Sequence, residues 1–309
     1  ILGIASVYLI YLLTKELFNS REKGPTLKGA APAAGPLGYQ AEGGSYPKLI
    51  ALLSALLLAI SPWHLHFSRG GWESNSATFF VLLGVWAFFK SLNNYKYLYL
   101  SSISFVFSLY AYHSMRIITP LLILSLIVIY QSSLTKLLTR SRHQFGKHLV
   151  ISLFLGIILL LPLAKQMLGS EGQSRFSGVS VFSDQGPLWE ALERRANSKN
   201  PNSIQVRLIH NKYLTYSRRF LSNYLSHYSP RFLFITGDEI ARSKIPGVGQ
   251  SYLFLAPFYV LGILNLLKLN TKGKKITLFW FLVAPLAAAL TFQSPHALRS
   301  QNMVIPLTI

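Results

Sequence analysis

Residues 96–168 read KYLYLSSISFVFSLYAYHSMRIITPLLILSLIVIYQSSLTKLLTRSRHQFGKHLVISLFLGIILLLPLAKQML, and this stretch decides the fold. Its three apolar runs, at about 96–113, 117–131 and 148–168, are separated by short polar or basic connections. Each run approaches the roughly 20 residues that carry an α-helix across a hydrocarbon core of about 30 Å, and the shorter ones reach across with snorkelling ends or local thinning. Outward from this stretch the pattern recurs at about 1–18, 49–67, 76–92, 250–268, 276–293 and from about 300 to the end. The prediction is an all-α, polytopic transmembrane helix bundle of about nine spans, the first and last truncated, because residue 1 and residue 309 both fall inside apolar runs. A missing leader therefore carries no information. Composition agrees: 51% of the 309 residues are hydrophobic and 13% charged, against about 25% charged in an ordinary soluble domain.

Thirty Lys and Arg face ten Asp and Glu, a formal charge of +20. Such a surplus fits nucleic acid, anionic lipid or an anionic substrate, and the positions of the charges decide between them. One set of alternate connections holds fifteen: Lys15, Arg21, Lys23, Lys28, Lys48, Lys90, Lys96, Lys136, Arg140, Arg142, Lys147, Lys268, Lys272, Lys274 and Lys275. The short loops of the other set hold three, Arg69, Arg116 and Arg299. The asymmetry assigns the first set to the cytoplasm and makes the chain a multi-pass cell-membrane protein, with the short Arg- and His-bearing loops and residues 169–249 extracytoplasmic. Most of the surplus is then topological, and nucleic acid loses its support as a partner. The absence of cysteine excludes disulfides and thiolate metal sites.

The chain divides into spans one to six (1–168), an extracytoplasmic loop region (169–249) and spans seven to nine (250–309). Residues 20–47, rich in Gly, Ala and Pro, read as a flexible cytoplasmic linker. The long loop needs elements of its own. PLWEALERRAN predicts a short helix starting near Pro187. From Ile204 to Leu225, the residues Ile209, Tyr213, Tyr216, Phe220 and Tyr224 recur at helical steps among Arg207, Lys212, Arg218 and Arg219. This amphipathic helix either lies flat at the outer interface or packs on neighbouring protein with a solvated basic face.

Three short outer loops, SPWHLHFSRGGWES (61–74), YHSMR (112–116) and SPHALRS (294–300), each join an Arg to at least one His and hold His64, His66, His113 and His296. Arginine near a bilayer needs a partner. If the hairpins meet, Arg69, Arg116 and Arg299 form a cationic rim suited to phosphate, which a guanidinium binds bidentately; otherwise each snorkels or binds a carbonyl. Glu73 follows Arg69 by four residues and reads as a base, a sugar-hydroxyl acceptor or the partner of Arg69. Asp184, Asp238 and Glu239 sit in the long loop, where turn chemistry explains TGDEIARSKIPGVG as well as a metal does. His64 and His66 are spaced to share a metal on a strand, but no second ligand pair stands at a recognisable distance, so no metal or other cofactor is expected. No Walker motif, HExxH or intramembrane carboxylate run is present, which leaves ATP hydrolysis, zinc proteolysis and proton-coupled transport unsupported.

The segments SPWHLHFSRGGWESNSATFF (61–80), YHSMRIITP (112–120), RFSGVSVFSD (175–184), YLSHYSPRFLFITGDEIARSKIPGVG (224–249) and SPHALRS resemble the C-type membrane glycosyltransferases of the protein O-mannosyltransferase and aminoarabinose transferase type. The resemblance implies transfer of a sugar from a polyprenyl-phosphate carrier to an acceptor hydroxyl, on protein or glycan, at the outer face of the membrane. It aligns Arg69 and Glu73 with the family's second outer Arg and acidic pair. It sets Arg116 and Arg299 toward the carrier phosphate and leaves Glu73 a secondary catalytic role; with Arg69 and the loop histidines His64, His66, His113 and His296 the two arginines make up the expected substrate-binding set. It also places the family's first outer loop, with its catalytic Asp, before residue 1, so the chain as it stands is expected to lack the main base and to be inactive. The rival readings are a lipid-linked saccharide transporter or flippase, which wants a polar path through the bilayer, and a structural membrane subunit.

Overall fold

The computed structural model describes residues 1–18, 45–169, 178 and 180–309. It is all-helical, with no strand among the described residues and one isolated antiparallel bridge, Ser180 to Thr291. In chain order the helices are α1 (Leu2–Leu17), α2 (Ser45–Ile60), α3 (Pro62–Arg69), α4 (Glu73–Ser91), α5 (Tyr97–Ala111), α6 (Met115–Arg140) and α7 (Arg142–Leu168). Next come α8 (Gly186–Ala196), α9 (Ile204–Ile209), α10 (Lys212–Ser226), α11 (Ala256–Lys268), α12 (Lys272–Val283), α13 (Leu286–Ala289) and α14 (Val304–Thr308), with a π turn at Arg231–Ile235. The linker expected at 20–47 lies outside the described residues up to position 44, and its last three residues belong to α2.

The core joins α1, α4, α5, α6 and α12 through Ile10, Leu13, Val81, Leu82, Phe105, Ile118, Leu122, Ile276 and Trp280. Small residues allow close approach. Gly273, in the first turn of α12, sits so near the Leu17 carbonyl that an added Cβ would lie 2.4 Å from its oxygen. Several serines inside this core turn back on their own backbone, as Ser108 Oγ does toward the Phe105 carbonyl at 2.6 Å and Ser125 Oγ toward the Leu122 carbonyl at 2.7 Å, whereas Thr14 and Thr78 keep buried hydroxyls with no hydrogen-bond partner among the described residues. Alternate connections gather at opposite ends. Glu16 meets Lys90 at 2.5 Å, and Lys272 donates to Ser133 Oγ at 3.1 Å, at one end; Trp63 meets Ala297, and Gln301 meets Asn75, at the other.

Two helices among the described residues, Met115–Arg140 and Arg142–Leu168, are long and apolar enough to cross a membrane, and a third span results if α2 and α3 count as one element bent by 56°. That is far fewer than the nine apolar runs of the sequence. Alpha5 has 15 residues and α11 has 13, short of a full crossing. The run at 49–67 breaks before Pro62, which has no N–H to continue the ladder; Ser61 instead caps α3 by accepting from His64 N. The run at 276–293 stops at Val283 and restarts as a four-residue helix after Pro285. The run beginning near 300 folds into the core as a short 3-10 turn and α14, with Met303, Val304 and Ile305 buried.

The helix expected near Pro187 is α8. The helix expected over 204–225 is two, because His210 ends α9 and the Asn211 side chain starts α10 by accepting from Leu214 N at 2.9 Å. Most of its aromatic stripe faces protein: Tyr216 donates to the Asp184 carbonyl, Tyr224 to the Leu282 carbonyl, and Phe220 stacks on Tyr224, while Tyr213 is exposed. Arg207, Lys212, Arg218 and Arg219 are exposed.

Replacing Gly273 by Ala forces α1 and α12 apart and should lower stability by about 1–3 kcal/mol. Gly262→Ala, whose methyl meets nothing within 4 Å, should be neutral or slightly stabilising; thermal unfolding of the two purified variants checks the contrast.

Candidate functional site

The site is built around the segment Thr291–Gln301, whose backbone is gripped from two other connections, the short one holding Trp63 and the long one holding Asn223, His227 and Asp238. Ala297 is the centre of the grip. Its N–H donates to Asp238 Oδ2 at 2.6 Å, and its carbonyl accepts from Trp63 Nε1 at 3.1 Å. One residue earlier, His296 N–H donates to His227 Nε2 at 3.1 Å. The other nitrogen of His227 lies 2.8 Å from the Asn223 carbonyl. A ring accepting at Nε2 and donating from Nδ1 is neutral, which fixes its tautomer. Asn223 also donates to the carbonyls of Ala289 and Thr291, and Ser294 Oγ returns a bond to the Asn223 carbonyl. Beneath the segment, Gln301 joins Ser74 and Asn75 at the start of α4, and Asn302 accepts from Trp280.

This scaffold presents Arg299, half-buried, with Nη1 donating to Thr291 Oγ1 at 2.7 Å and the Tyr112 hydroxyl against its guanidinium. Burial opposes the Arg299 charge and lowers its pKa, while Tyr112 and the more distant Asp238 support it. Tyr112 is pushed up to about 12, first by burial and further by Glu73, against the pull of Arg299. His296 is pushed down to about 3 by burial and by the positive surroundings of Arg299, His227, Arg242 and His113. It is therefore neutral at physiological pH, and its Nδ1, 3.6 Å from Asp238 Oδ2, makes no ion pair and has no hydrogen-bond partner among the described residues. Burial also raises the Asp238 carboxyl, although its two backbone bonds, to Ile240 and Ala297, resist the rise.

The candidates from the sequence fall into two groups. Arg299, His296 and His113 come together, with Glu73 inside the same electrostatic neighbourhood through Tyr112. The others do not join them. His64 is buried with Nε2 3.1 Å from the Gly3 carbonyl, and His66 Nε2 lies 2.9 Å from the Arg242 carbonyl, tying its loop to the long connection. Arg116 Nε donates to the Leu109 carbonyl at 3.4 Å, the carbonyl-bound alternative to a rim. Arg69 and Glu73 share no helical face, because Arg69 ends α3, Glu73 opens α4, and Gly70 and Gly71 turn between them with Gly71 at φ +67°. Both are exposed.

Sequence reasoning missed Tyr112, His227 and Thr291, and left Asp238 between a turn residue and a metal ligand. The turn is present, since Asp238 Oδ1 accepts from Ile240 N, but the second oxygen reaches 59 positions along the chain. No spacing signal marks a contact at that separation. Among the described residues no group of three His, Asp or Glu is placed to hold a metal ion. The chemistry at this end is a half-buried guanidinium beside a buried phenol and the neutral His296 imidazole, a donor set for an anion. No family model, curated protein or solved structure matches the chain.

The neutral histidines make stability depend on pH. Below pH 6.5 the unfolded chain's imidazoles take up protons that folded His227 refuses until about pH 4 and folded His296 until about pH 3. The unfolded state then binds more protons, so stability falls as pH drops from 6.5 toward 4 and levels off below both folded values. Asp238, raised by burial, acts oppositely, its contribution being lost as pH rises above 3.8 through its folded pKa. Thermal midpoints between pH 7.5 and 4.5 should decline, and His227→Gln should flatten the decline. A pH-independent midpoint contradicts the neutral assignment.

Proposed function

We propose that the chain is an integral membrane glycosyltransferase that moves a sugar from a polyprenyl-phosphate carrier to an acceptor hydroxyl at the outer face of a membrane. The observation that supports it best is the half-buried Arg299 at the meeting point of four distant connections, backed by Thr291 and Tyr112. In this reading the shorter apolar helices lie in the bilayer with α6 and α7, and the Arg299 end faces outward. The lysine-rich connections gather at the other end, as the distribution of basic residues requires for that orientation.

Cleavage of the bond between the anomeric carbon and the phosphate oxygen leaves the electron pair on the carrier phosphate, whose charge grows in the transition state. A guanidinium already fixed by Thr291 and Tyr112 stabilises that growing charge without reorganising. The new bond forms from the acceptor oxygen, whose proton passes to a carboxylate. Glu73, exposed and near enough for its charge to act on Tyr112, is the carboxylate to which this reading gives a secondary, assisting role. Asp238 is unsuited, because it is fully buried and committed to two backbone N–H groups.

Tested in a protein that also carries the outer loop expected to hold the family's catalytic Asp, Arg299→Gln should reduce release of labelled sugar from polyprenyl-phosphate donors by about 10²-fold or more, with insertion and helical content unchanged. Wild-type turnover in that variant removes the reading. Carrier crossing the bilayer with its sugar intact favours the transporter instead.

A further inference from the structure

At the end of the bundle away from Arg299, α6 and α7, the two helices that meet the length and hydropathy of a span, are joined through the single residue Ser141. The rotation of α7 is fixed there. Phe145 is buried with its ring 5.4 Å from Tyr95, and His148 Nδ1 lies 2.5 Å from the Tyr99 hydroxyl. With those two facing inward, Arg142, His143, Gly146, Lys147, Val150 and Ile151 line an open groove of about 580 Å³.

At 100° per residue, His143, Lys147, Val150, Phe154, Ile157 and Leu161 form one outward stripe. Its apolar members are 65%, 64%, 59% and 60% exposed, in that order. From Lys147 to Leu161 the stripe runs about 21 Å at 1.5 Å per residue, enough to follow an acyl chain through one leaflet of about 15 Å. Between Arg142 and Lys147 the surface is notched at Gly146, where an added Cβ would meet nothing within 4 Å. Residues 131–169 contain no Asp or Glu to compete for the cations, and Lys136 and Arg140 add to them from the end of α6. A soluble anion would use the positive end and leave the stripe uncovered. A phospholipid uses both.

We propose that this groove binds an anionic phospholipid, its phosphate between Arg142 and Lys147 over the Gly146 notch, with His143 at the margin and an acyl chain along Val150, Phe154, Ile157 and Leu161. Basic pockets beside membrane helices on the positive side suit acidic headgroups. The inference rests on α6 and α7 alone and stands whether or not sugar transfer is found.

The test is retention of phosphatidylglycerol against phosphatidylcholine by the purified full chain in mixed-lipid nanodiscs, read by mass spectrometry with the thermal midpoint. Wild type should retain phosphatidylglycerol selectively and gain thermal stability from it. Arg142→Gln with Lys147→Gln should weaken retention about 30-fold, two cations at ~1 kcal/mol each. Gly146→Leu, which keeps every charge and fills the notch, should weaken it as well, and it serves if the double variant fails to fold. Equal retention of phosphatidylcholine, undiminished retention in Gly146→Leu, or a thermal shift reproduced by inorganic phosphate alone overturns the proposal.

Discussion

One peptide unit organises the Arg299 end of this molecule. Ala297 is fully buried, and both of its polar groups are claimed by residues far away in the chain, Asp238 on one side and Trp63 on the other. A buried backbone group without a partner costs about 1–3 kcal/mol, so the segment has few alternative positions once those two residues are in place. Trp63 is itself set by its edge-on packing against Phe232, and Phe232 by the ring of His227. Arg299, two residues beyond Ala297, inherits its position from this chain of contacts.

Burial and charge are arranged oppositely at the two ends. Around Arg299 the titratable groups are pushed toward neutrality, His296 and His227 as uncharged imidazoles and Tyr112 as an uncharged phenol, leaving the guanidinium as the main fixed charge. Around the α6 to α7 turn the cations are exposed. An anion meeting the first end finds preorganised donors, whereas one meeting the second finds long side chains free to adjust, over an apolar track. The first favours discrimination by geometry and the second attraction by charge.

The helical class was readable from apolar runs, and the placement of alternate connections at opposite ends follows from hairpin alternation, as Glu16 with Lys90 and Trp63 with Ala297 show. The number of membrane-length helices was not readable, because hydropathy does not distinguish a run that spans from one folded into a core; the residues from Gln301 onward are such a run. Arg299, His113 and His296, which the structure brings together, stood out in the sequence because an Arg or His in a short loop is conspicuous in so apolar a chain. Arg69 with Glu73 was misread as one helical face because a spacing of four implies a shared face only if the helix continues, and Gly70–Gly71 ends it. Tyr112 and His227 were hidden among 16 tyrosines and eight histidines, their importance arising only from contacts that sequence separation conceals.

The bend before Pro62 has a consequence for how this chain can vary. The eight residues of α3 are engaged on several sides, Trp63 to Ala297, His64 to Gly3, His66 to Arg242, and Phe67 in the core. Inserting or deleting one residue there swings everything behind it by about 100° around the helix axis and breaks several of these anchors together. Related chains should therefore drift by substitution within this helix while keeping its length, and absorb their insertions elsewhere.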